Sequence, residues 1–428
     1  MSDEHFPVIV VGAGLAGCAA AYRLAKAGYD VLLLERGKRP GGKNVSGGRL
    51  YSYALEALMP GEWLDAPLER EVRREMIMTM TERGAVTVNG LLSPNHSGTS
   101  YTVLRSKLDG WLAKKAEQAG ALVMTGVTAT EIVIKDGKAC GVLVGDERLE
   151  ADIIICADGA NSLLAENAGI TNKVTMENIA LGVKLVVGLP EQTINDRFNL
   201  SGEDGAACLM VGDCTKGLAG GGFLYTNKES LSLGLVVDAS SIKSAKTNIA
   251  DMIEELKEHP AISPLIVGGQ LLEYSAHLIP EGGLNMMPKV FDNGLMIAGD
   301  AAGFVINSGL TLRGMDYAIL SGIAAAETAI KSIQAADYSA EQLNQYEVML
   351  RLNVLSDMET FKKVRGFMKD TAGLYTAYPK LAETIFKSIF TVDGRPAKRI
   401  SKVMINSILS HTSVWQLIKD GVKGALSL

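Results

Sequence analysis

The chain has 428 residues, 47% of them apolar and 21% charged, with a formal net charge of −6. This composition is that of a globular protein with room for two or three subdomains, and it excludes a disordered chain. The negative charge argues against nucleic acid as the main partner, and five scattered cysteines without a C-x-x-C pair exclude a disulfide framework and a self-contained iron–sulfur site.

The first predicted element is a buried strand at 8–11, and three glycines follow it at once. Gly12, Gly14 and Gly17 have G-x-G-x-x-G spacing. Gly12 permits a tight turn, Gly14 lets a pyrophosphate approach the backbone, and Gly17 allows close packing of helix on strand. The helix start that follows offers unpaired N–H groups and the positive end of its dipole to phosphates.

A helix at 18–26 and a second strand at 30–34 complete this unit, and Glu35 closes it. A carboxylate at the end of the second strand can accept hydrogen bonds from a ribose diol. The full order of strand, loop, helix, strand and acid predicts a dinucleotide-binding unit rather than an ordinary glycine-rich turn.

A basic, glycine-rich loop is predicted after Glu35. It holds Arg36, Lys43 and Asn44 among its polar residues and is suited to wrap a phosphorylated cofactor. The alternative is a solvated loop without a ligand. A short helix is predicted at 53–58.

Residues 70–104 alternate between apolar and polar, which predicts antiparallel strands with a turn at Arg83 and Gly84. Arg105 then opens a helix that stops at Gly120. The helix dipole disfavours a cation at this end, so Arg105 is predicted to face an anion such as a pyrophosphate. The alternative is a surface arginine.

Strands are predicted next at 121–125, 130–135 and 139–144, the last two joined by a hairpin turn. A further apolar strand at 153–156 runs into Asp158 and Gly159. We expect it to be a parallel strand of the nucleotide domain, with its carboxyl end at the edge where ligands collect.

Residues 179–237 are predicted to form a mostly antiparallel inserted sheet, broken by the glycine-rich stretch 217–227. A helix at 248–258 follows.

The stretch 295–300, LMIAGD, predicts a short strand that ends in an acid able to hold a sugar-like hydroxyl. A long alanine-rich helix is predicted from about Thr311. Ser308, Gly309 and Leu310 are expected to bring free backbone N–H groups to the front of this helix, a site for partial negative charge.

The chain from 339 onward is predicted to be mainly helical, and its end is basic with interleaved apolar residues. The cations of this tail face only Asp420 as a counter-charge; they are Arg395, Lys398, Arg399, Lys402, Lys419 and Lys423. The tail is either a solvated helix packed on the body or a docking segment for an acidic protein or an anionic membrane surface.

Four motifs together resemble the two-dinucleotide-fold flavoproteins of the aromatic hydroxylase and geranylgeranyl reductase type. They are VGAGLAGCAAA with Glu35, Arg105 at a helix start, ADGANS, and IAGDAAGF. The resemblance implies FAD as cofactor, with its ADP half held by residues at Gly12, Gly14, Gly17, Glu35 and Arg105 and its ribityl chain held by Asp300.

The resemblance narrows to the FixC-type members of the electron transfer flavoprotein:quinone oxidoreductase family and covers essentially the whole chain. The stretches that carry it are GGKNVSGGRLYSYALEALMP, GDAAGFVINSGLTLRGMDYAILSGIAAAE, GLAGGGFLYTN, EYSAHLIPEGG, FTVDG and LIKDGVKGALSL. The implied cofactor-binding residues are Gly12, Ala13, Gly14, Gly17, Glu35, Arg36, Lys43, Asn44, Arg105, Val127, Asp158, Gly159, Gly299, Asp300, Gly309 and Leu310. The full-length oxidoreductases end in a segment with four cluster-binding cysteines, which this chain lacks.

The implied fold is α/β, a two-dinucleotide-binding-fold FAD domain of the glutathione reductase and aromatic hydroxylase kind with an inserted, mostly antiparallel sheet and a helical C-terminal region. FAD-binding parts are expected at 1–75, 105–175 and 286–335. The inserted acceptor domain is expected at 76–104 and 176–285, and the helical region at 336–428.

The implied function is FAD-dependent electron transfer from an electron transfer flavoprotein (FixA/FixB-like) to quinone, to a small ferredoxin-like protein (FixX-like), or divided between them. No metal and no acid–base side chain is expected, because the flavin carries the redox chemistry. Gly309 and Leu310 are expected near the pyrimidine edge of the flavin, with 41–49 and 217–223 on its acceptor side.

Two other enzymatic interpretations remain at this stage, a prenyl reductase and an NAD(P)H-dependent hydroxylase. A third is a docking subunit of an electron-transfer complex with structural FAD. No signal peptide and no membrane-spanning run is predicted. The expected location is the cytoplasm, with a peripheral position on the inner face of the membrane as an option.

Overall fold

The computed structural model describes residues 5–42, 47–93, 99–170, 175–245, 247–394, 396 and 399–427. The strands, in chain order, are β1 (His5–Val11), β2 (Val31–Glu35), β3 (Gly48–Tyr51), β4 (Leu68–Met80), β5 (Ala85–Leu91), β6 (Ser100–Val103), β7 (Leu122–Thr125), β8 (Ala129–Lys135), β9 (Lys138–Val144), β10 (Glu147–Cys156), β11 (Ile179–Gly188), β12 (Asp204–Gly212), β13 (Gly220–Thr226), β14 (Ser230–Asp238), β15 (Gln270–Pro280), β16 (Phe291–Asp292), β17 (Leu295–Ile297), β18 (Ile306–Asn307) and β19 (Leu312–Arg313).

The helices are α1 (Leu15–Lys26), α2 (Tyr53–Leu58), α3 (Arg105–Gln118), α4 (Leu163–Asn167), α5 (Glu191–Phe198), α6 (Ala239–Ala245), α7 (Ile249–Glu258), α8 (Ser263–Ile266), α9 (Met315–Ala335), α10 (Ala340–Leu343), α11 (Gln345–Leu350), α12 (Val354–Thr360), α13 (Val364–Asp370), α14 (Ala377–Phe390), α15 (Ile400–His411) and α16 (Val414–Ala425). Within the described chain, no helix combines the length and the apolarity that crossing a membrane requires.

The first sheet has eight strands. Its main order is β16-β17-β10-β1-β2-β7, with β9 beside β10 and β8 beside β9. The five strands from β17 to β7 run parallel, so their carboxyl ends meet at one edge. The predicted parallel return of the strand ending at Cys156 is therefore confirmed.

The central strands of this sheet are buried on both faces, which explains their continuous apolar runs. Helices α1, α3 and α9 pack together on this core. The approach of α9 to α1 is close, because a Cβ atom on Gly322 would lie 2.2 Å from the carbonyl oxygen of Ala16.

The second sheet has nine strands in the order β15-β11-β14-β13-β12-β4-β6-β3, with β5 beside β4. It is antiparallel except where β12 runs parallel to β4. The strand pair β4 and β5 confirms the predicted antiparallel turn near Gly84. Residues 1–75 were expected to belong to the FAD-binding domain. Strand β3 and the first part of β4 lie within this range, yet they pair inside the second sheet.

The prediction that a glycine-rich stretch breaks this sheet was wrong. Residues Gly220–Thr226 form strand β13, which pairs with both β12 and β14. Glycine suits the start of this strand because a Cβ atom on Gly220 would lie 2.2 Å from the carbonyl oxygen of Val236 on β14. Pairing on both edges thus overrides the low strand preference of glycine.

The sheet covers a second core of buried side chains, against which α7 packs. The helix predicted at 248–258 is confirmed, and the Asn248 side chain caps it by accepting from the Ala250 N–H at 2.9 Å.

The long alanine-rich helix begins at Met315, not at Thr311 as predicted. The residues before it form the small hairpin of β18 and β19, with Ser308 to Thr311 as its turn. Gly309 has a φ of +79° in this turn, a conformation that favours glycine. The chain after 339 is mainly helical, as predicted. Together these elements confirm the α/β architecture with a second sheet and a helical C-terminal region.

Candidate functional site

The carboxyl edge of the first sheet brings together residues that are far apart in sequence. Gly12, Glu35, Val127, Asp158 and Gly299 lie at or just beyond the ends of five adjacent parallel strands. Backbone hydrogen bonds tie these ends together. The Gly12 N–H donates to the carbonyl oxygen of Leu34 at 2.8 Å, and that of Val127 donates to the carbonyl oxygen of Glu35 at 2.9 Å.

Two of the motif glycines are required by packing. A Cβ atom on Gly12, whose φ is +106°, would lie 2.3 Å from the carbonyl oxygen of Ala157. A Cβ atom on Gly17 would lie 1.9 Å from the carbonyl oxygen of Gly12. The turn out of β1 therefore cannot accept a side chain at either position without a backbone shift.

Helix α1 begins without a side-chain cap. Gly14 is its N-cap, and the first turn, which is fully described, contains no acidic residue. The first N–H groups of a helix have no partner inside the helix, so this end presents free donors and a positive dipole end. The Arg105 guanidinium lies beside it, with Nη2 4.0 Å from where a Gly14 Cβ would be. The arrangement suits an anion such as a pyrophosphate.

The Glu35 carboxylate reaches back across the loop. It accepts a hydrogen bond from the Ala13 N–H at 3.0 Å and another from the Gly37 N–H. These two bonds hold the carboxylate at the strand end with lone pairs left over, which can accept from a diol.

Arg105 opens α3 as predicted, yet its immediate partner belongs to the protein. Its guanidinium donates to both carboxylate oxygens of Asp109, at 2.7 and 2.9 Å. Burial alone would lower the pKa of Arg105, but the charge and hydrogen bonds of Asp109, together with the charge of Asp300, raise it. The side chain keeps 22% of its surface exposed, whereas that of Asp109 is fully buried.

Asp158 and Asp300 are acids at the same edge. Burial raises the pKa of Asp158, and its Oδ1 atom is buried with no hydrogen-bond partner among the described residues. Arg36 is exposed but close enough for its charge to oppose this shift. Burial likewise raises the pKa of Asp300, against the charges of Arg105 and Lys184. A buried, unpartnered oxygen at this edge is suited to bind a ligand donor.

Two glycines shape the backbone beside these acids. Gly159 has a φ of +83°, and Gly299 has a φ of +66°. The Gly299 N–H donates to the Ser321 hydroxyl of α9 at 3.0 Å. Residues with a side chain rarely adopt these backbone conformations, which explains why both positions are glycine.

Lys184 and His277, on neighbouring strands of the second sheet, face the same region and were not found from sequence. Burial, followed by the charge of Arg105, lowers the pKa of Lys184 to about 8. Its Nζ atom lies 5.7 Å from the centre of the Phe223 ring. Burial and the charge of Lys184 lower the pKa of His277 to about 4. A single lysine inside the apolar run IALGVKLVVGL was the available signal.

The expectation of free N–H groups at 308–310 was wrong. The Gly309 N–H donates to Asn307 Oδ1 at 3.0 Å, and that of Ser308 donates to the carbonyl oxygen of Thr311 at 2.9 Å. The Leu310 N–H points to the Ser308 hydroxyl at 3.4 Å. These donors close the hairpin turn, because the helix starts only later. Lys43 and Asn44 lie outside the described residues.

A cavity of about 530 Å³ lies between the second sheet, the β18–β19 hairpin and helices α12 and α13. The glycine-rich strand β13 forms part of one wall, and Gly309 and Leu310 lie on another. Apolar side chains cover much of the lining, among them Ile77, Leu209, Phe223, Val236, Val305 and Leu310. Its size and apolar lining are typical of a small-molecule site.

The chain is 48% identical to the probable electron transfer flavoprotein-quinone oxidoreductase YdiS of Escherichia coli, over the full length of both proteins. It belongs to the ETF-QO/FixC family. Protein FixC of Salmonella typhimurium is 46% identical, again over the full length of both. Residues 364–428 match the ETF-QO/FixC family C-terminal domain, and residues 7–205 match the FAD dependent oxidoreductase family.

Solved structures share the fold of this ETF-QO/FixC family member at low identity. A geranylgeranyl bacteriochlorophyll reductase-like protein from Thermoplasma acidophilum superposes with a TM-score of 0.74 at 20% identity, covering 98% of this chain and 99% of that one. The myxobacterial chondrochloren halogenase CndH superposes with a TM-score of 0.67 at 17% identity, covering 95% and 97%. These matches confirm the predicted flavoprotein fold.

Family membership makes this chain an FAD-dependent electron-transfer oxidoreductase, as the sequence predicted. The residues at the sheet edge fit that cofactor. The uncapped helix start and Arg105 suit its pyrophosphate, the Glu35 carboxylate suits a ribose, and the orphaned Asp158 oxygen is free to accept a hydrogen bond.

Proposed function

We propose that this protein passes electrons from an electron transfer flavoprotein, through its FAD, to a quinone. The observation that carries the proposal is the apolar cavity between strand β13 and the β18–β19 hairpin. A quinone head group is a flat, mostly apolar ring with two carbonyl oxygens. A cavity of this size, with apolar walls and a few polar groups, suits such a ring.

The proposed FAD position follows the sheet edge. Gly12, Ala13, Gly14 and Gly17 would hold the pyrophosphate, with Arg105 as the counter-charge. Glu35 would hold the adenosine ribose, next to Arg36 and Val127. When bound, FAD supplies the redox chemistry of the reaction.

The second half of the cofactor would run past the ends of β10 and β17. Asp158, Gly159, Gly299 and Asp300 would contact it there, and Gly309 and Leu310 would lie near its ring. Lys43 and Asn44 remain proposed contacts on the basis of sequence alone. In this arrangement the first sheet, with its helices, is the FAD-binding domain, and the second sheet is the acceptor domain.

Anaerobic stopped-flow mixing tests the proposal. The photoreduced protein is mixed with a short-chain ubiquinone, and flavin reoxidation is followed by its visible absorbance. Rapid reoxidation by quinone, without consumption of NADPH in a parallel sample, is the expected result. Consumption of NADPH without a response to quinone would instead favour a hydroxylase or prenyl reductase. Electron exchange with neither would favour a docking subunit with structural FAD.

The donor and any second carrier are proposed from family resemblance. We propose FixA/FixB-like electron transfer flavoprotein as donor and a FixX-like ferredoxin as a further partner. Exposed cations on or just before the last two helices support docking of an acidic carrier: Arg399, Lys402 and Lys419. Docking would be supported if the reduced donor reduces the bound flavin and if this electron transfer is lost at high ionic strength.

A peripheral position at the membrane is the third part of the proposal. Helices α14 to α16 expose many large apolar side chains, including Phe390, Leu409 and Trp415, which are 74%, 62% and 80% exposed. Apolar side chains beside exposed cations are typical of helices that lie on anionic lipid. The test is sedimentation with anionic vesicles, compared with neutral vesicles. Absence of binding to either would contradict this part alone.

A further inference from the structure

Glu281 lies at one end of the cavity between the second sheet and the β18–β19 hairpin, which we call the acceptor cavity. It follows strand β15, and its backbone N–H donates to the carbonyl oxygen of Asn178 at 2.9 Å. Its side chain lines the cavity. The Oε1 atom is buried and has no hydrogen-bond partner in the part of the chain that the structure describes. Such an oxygen is unusual in a folded protein, and it fits a partner that comes from a bound ligand.

The nearby cations do not neutralise this carboxyl group through an ion pair. The Arg365 guanidinium donates to the carbonyl oxygen of Glu177 and lies 3.5 Å from Asp238 Oδ2. Lys369 donates to the Ser240 hydroxyl at 3.0 Å and also lies 3.5 Å from Asp238. Arg365 and Lys369 therefore both pair with Asp238 rather than with Glu281.

Burial raises the pKa of Glu281, although the Arg365 charge and a hydrogen bond from Asn307 act against it. The charge of Asp238 adds to the rise. Tyr375, on the wall beside it, is held neutral because burial raises its pKa to about 12. A carboxyl group in these surroundings keeps its proton to a higher pH than a solvated carboxyl group does, and the neutral acid can donate that proton.

We infer that Glu281 is the proton donor to one carbonyl oxygen of the acceptor that binds in this cavity. The inference rests on the proposed function, since a quinone needs two electrons and two protons to become a quinol. Both electrons come from the reduced cofactor. The Glu281 O–H bond breaks as a quinone O–H bond forms, which leaves a carboxylate. The second proton reaches the other carbonyl oxygen from solvent.

Proton return has a short route. The cavity is also lined by exposed charged residues on and between α12 and α13, among them Glu359, Lys362 and Lys369. Water at this mouth can restore the proton of Glu281 after each turnover. The carboxylate that forms in the meantime is stabilised by the Arg365 charge. Glu281 thus has an acceptor on one side and a proton source on the other.

The test compares two acceptors in the FAD-loaded protein. Quinone takes up protons when reduced, whereas ferricenium takes up an electron alone. The variant Glu281→Gln keeps the shape and an N–H donor but has no proton to transfer. We expect quinone reduction to fall at least about tenfold, in line with loss of a general acid. Ferricenium reduction and flavin content should stay unchanged.

The control is Glu254→Gln, which changes an exposed carboxylate of α7 that is paired with Lys257 and does not line the cavity. It should leave both rates unchanged. Wild-type quinone reduction should decline with rising pH as Glu281 loses its proton, and this decline should be absent in Glu281→Gln. Redox difference infrared spectra should show the carbonyl band of a protonated acid in the wild type and not in Glu281→Gln.

Equal loss of quinone and ferricenium reduction in Glu281→Gln would overturn the inference, since it would indicate a structural role. Unchanged quinone reduction would overturn it as well. A wild-type protein that reduces ferricenium but never quinone would refute the proposed function instead. The two failures are therefore distinguishable.

Discussion

The Arg105 guanidinium donates to both carboxylate oxygens of Asp109, one turn further along the same helix, at 2.7 and 2.9 Å. Asp109 is fully buried, so this pair holds the guanidinium in one orientation beside Gly14. The helix dipole alone disfavours a cation such as Arg105 at the start of α3. The Asp109 carboxylate and the proposed anion site beside Gly14 together explain why Arg105 lies there.

Arg105→Lys should weaken FAD binding about tenfold or more. Lysine keeps the charge beside Asp109 but cannot reproduce the rigid fork of two parallel donors, and a charge-assisted hydrogen bond contributes roughly 1.5–3 kcal/mol. The measurement is titration of FAD-free protein with FAD, followed by flavin fluorescence. Lys114→Gln, at an exposed position of the same helix, is the matched control. Equal affinity of Arg105→Lys and wild type would contradict the proposed pyrophosphate position.

Leu209→Trp should raise the KM for a short-chain quinone about tenfold, which corresponds to about 1.4 kcal/mol. Leu209 lines the acceptor cavity, and a larger side chain there reduces the space for the ring. The visible spectrum and photoreduction of the flavin should not change. Val88→Trp provides the comparison, because Val88 is exposed on the edge strand β5 outside the cavity. A wild-type KM in both variants would contradict the proposal that the quinone binds in this cavity.

Gly322→Ala should lower the unfolding free energy by about 1–3 kcal/mol, since the added methyl group would meet the carbonyl oxygen of Ala16 at 2.2 Å. Gly110→Ala in α3 meets nothing within 4 Å and should stabilise by about 0.5–1 kcal/mol. Urea unfolding of both variants measures the contrast. Similar effects of the two substitutions would show that α9 does not pack so closely on α1.

Lys184→Met should stabilise the FAD-free protein below pH 8, and this gain should shrink as the pH rises toward 10. The folded pKa of Lys184 is about 8, below the ordinary value of 10.5, because of burial and then the Arg105 charge. Between these values the unfolded chain binds more protons, so wild-type stability rises with pH there.

Asp300, His277 and the Phe223 ring also face this ammonium group, and they are present in both proteins. The difference between the unfolding free energies of variant and wild type, measured from pH 6 to 10, therefore isolates Lys184. A difference that is constant over this range would show that the lysine is not buried as a cation.

The predictable elements were those with local patterns. The strand, glycine turn and helix around Gly12, the antiparallel pair turning near Gly84 and the helix opened by Arg105 all follow from residue spacing over short ranges. The prediction failed at 217–227 and at 308–311. At 217–227 pairing with the strands before and after it decided the conformation, and at 308–311 a tight hairpin turn did.

The sequence by itself determined the dinucleotide-binding unit and, through its resemblance, the flavoprotein class, because each of those signals lies within one short stretch. Only the tertiary structure decided that Lys184 and His277 lie near Arg105, and that Glu281 lies near Asn307 and lines the acceptor cavity. The physical reason is that burial and charge act through space. The neighbours of Glu281 come from separate strands and helices, and no local pattern in the chain records that they meet.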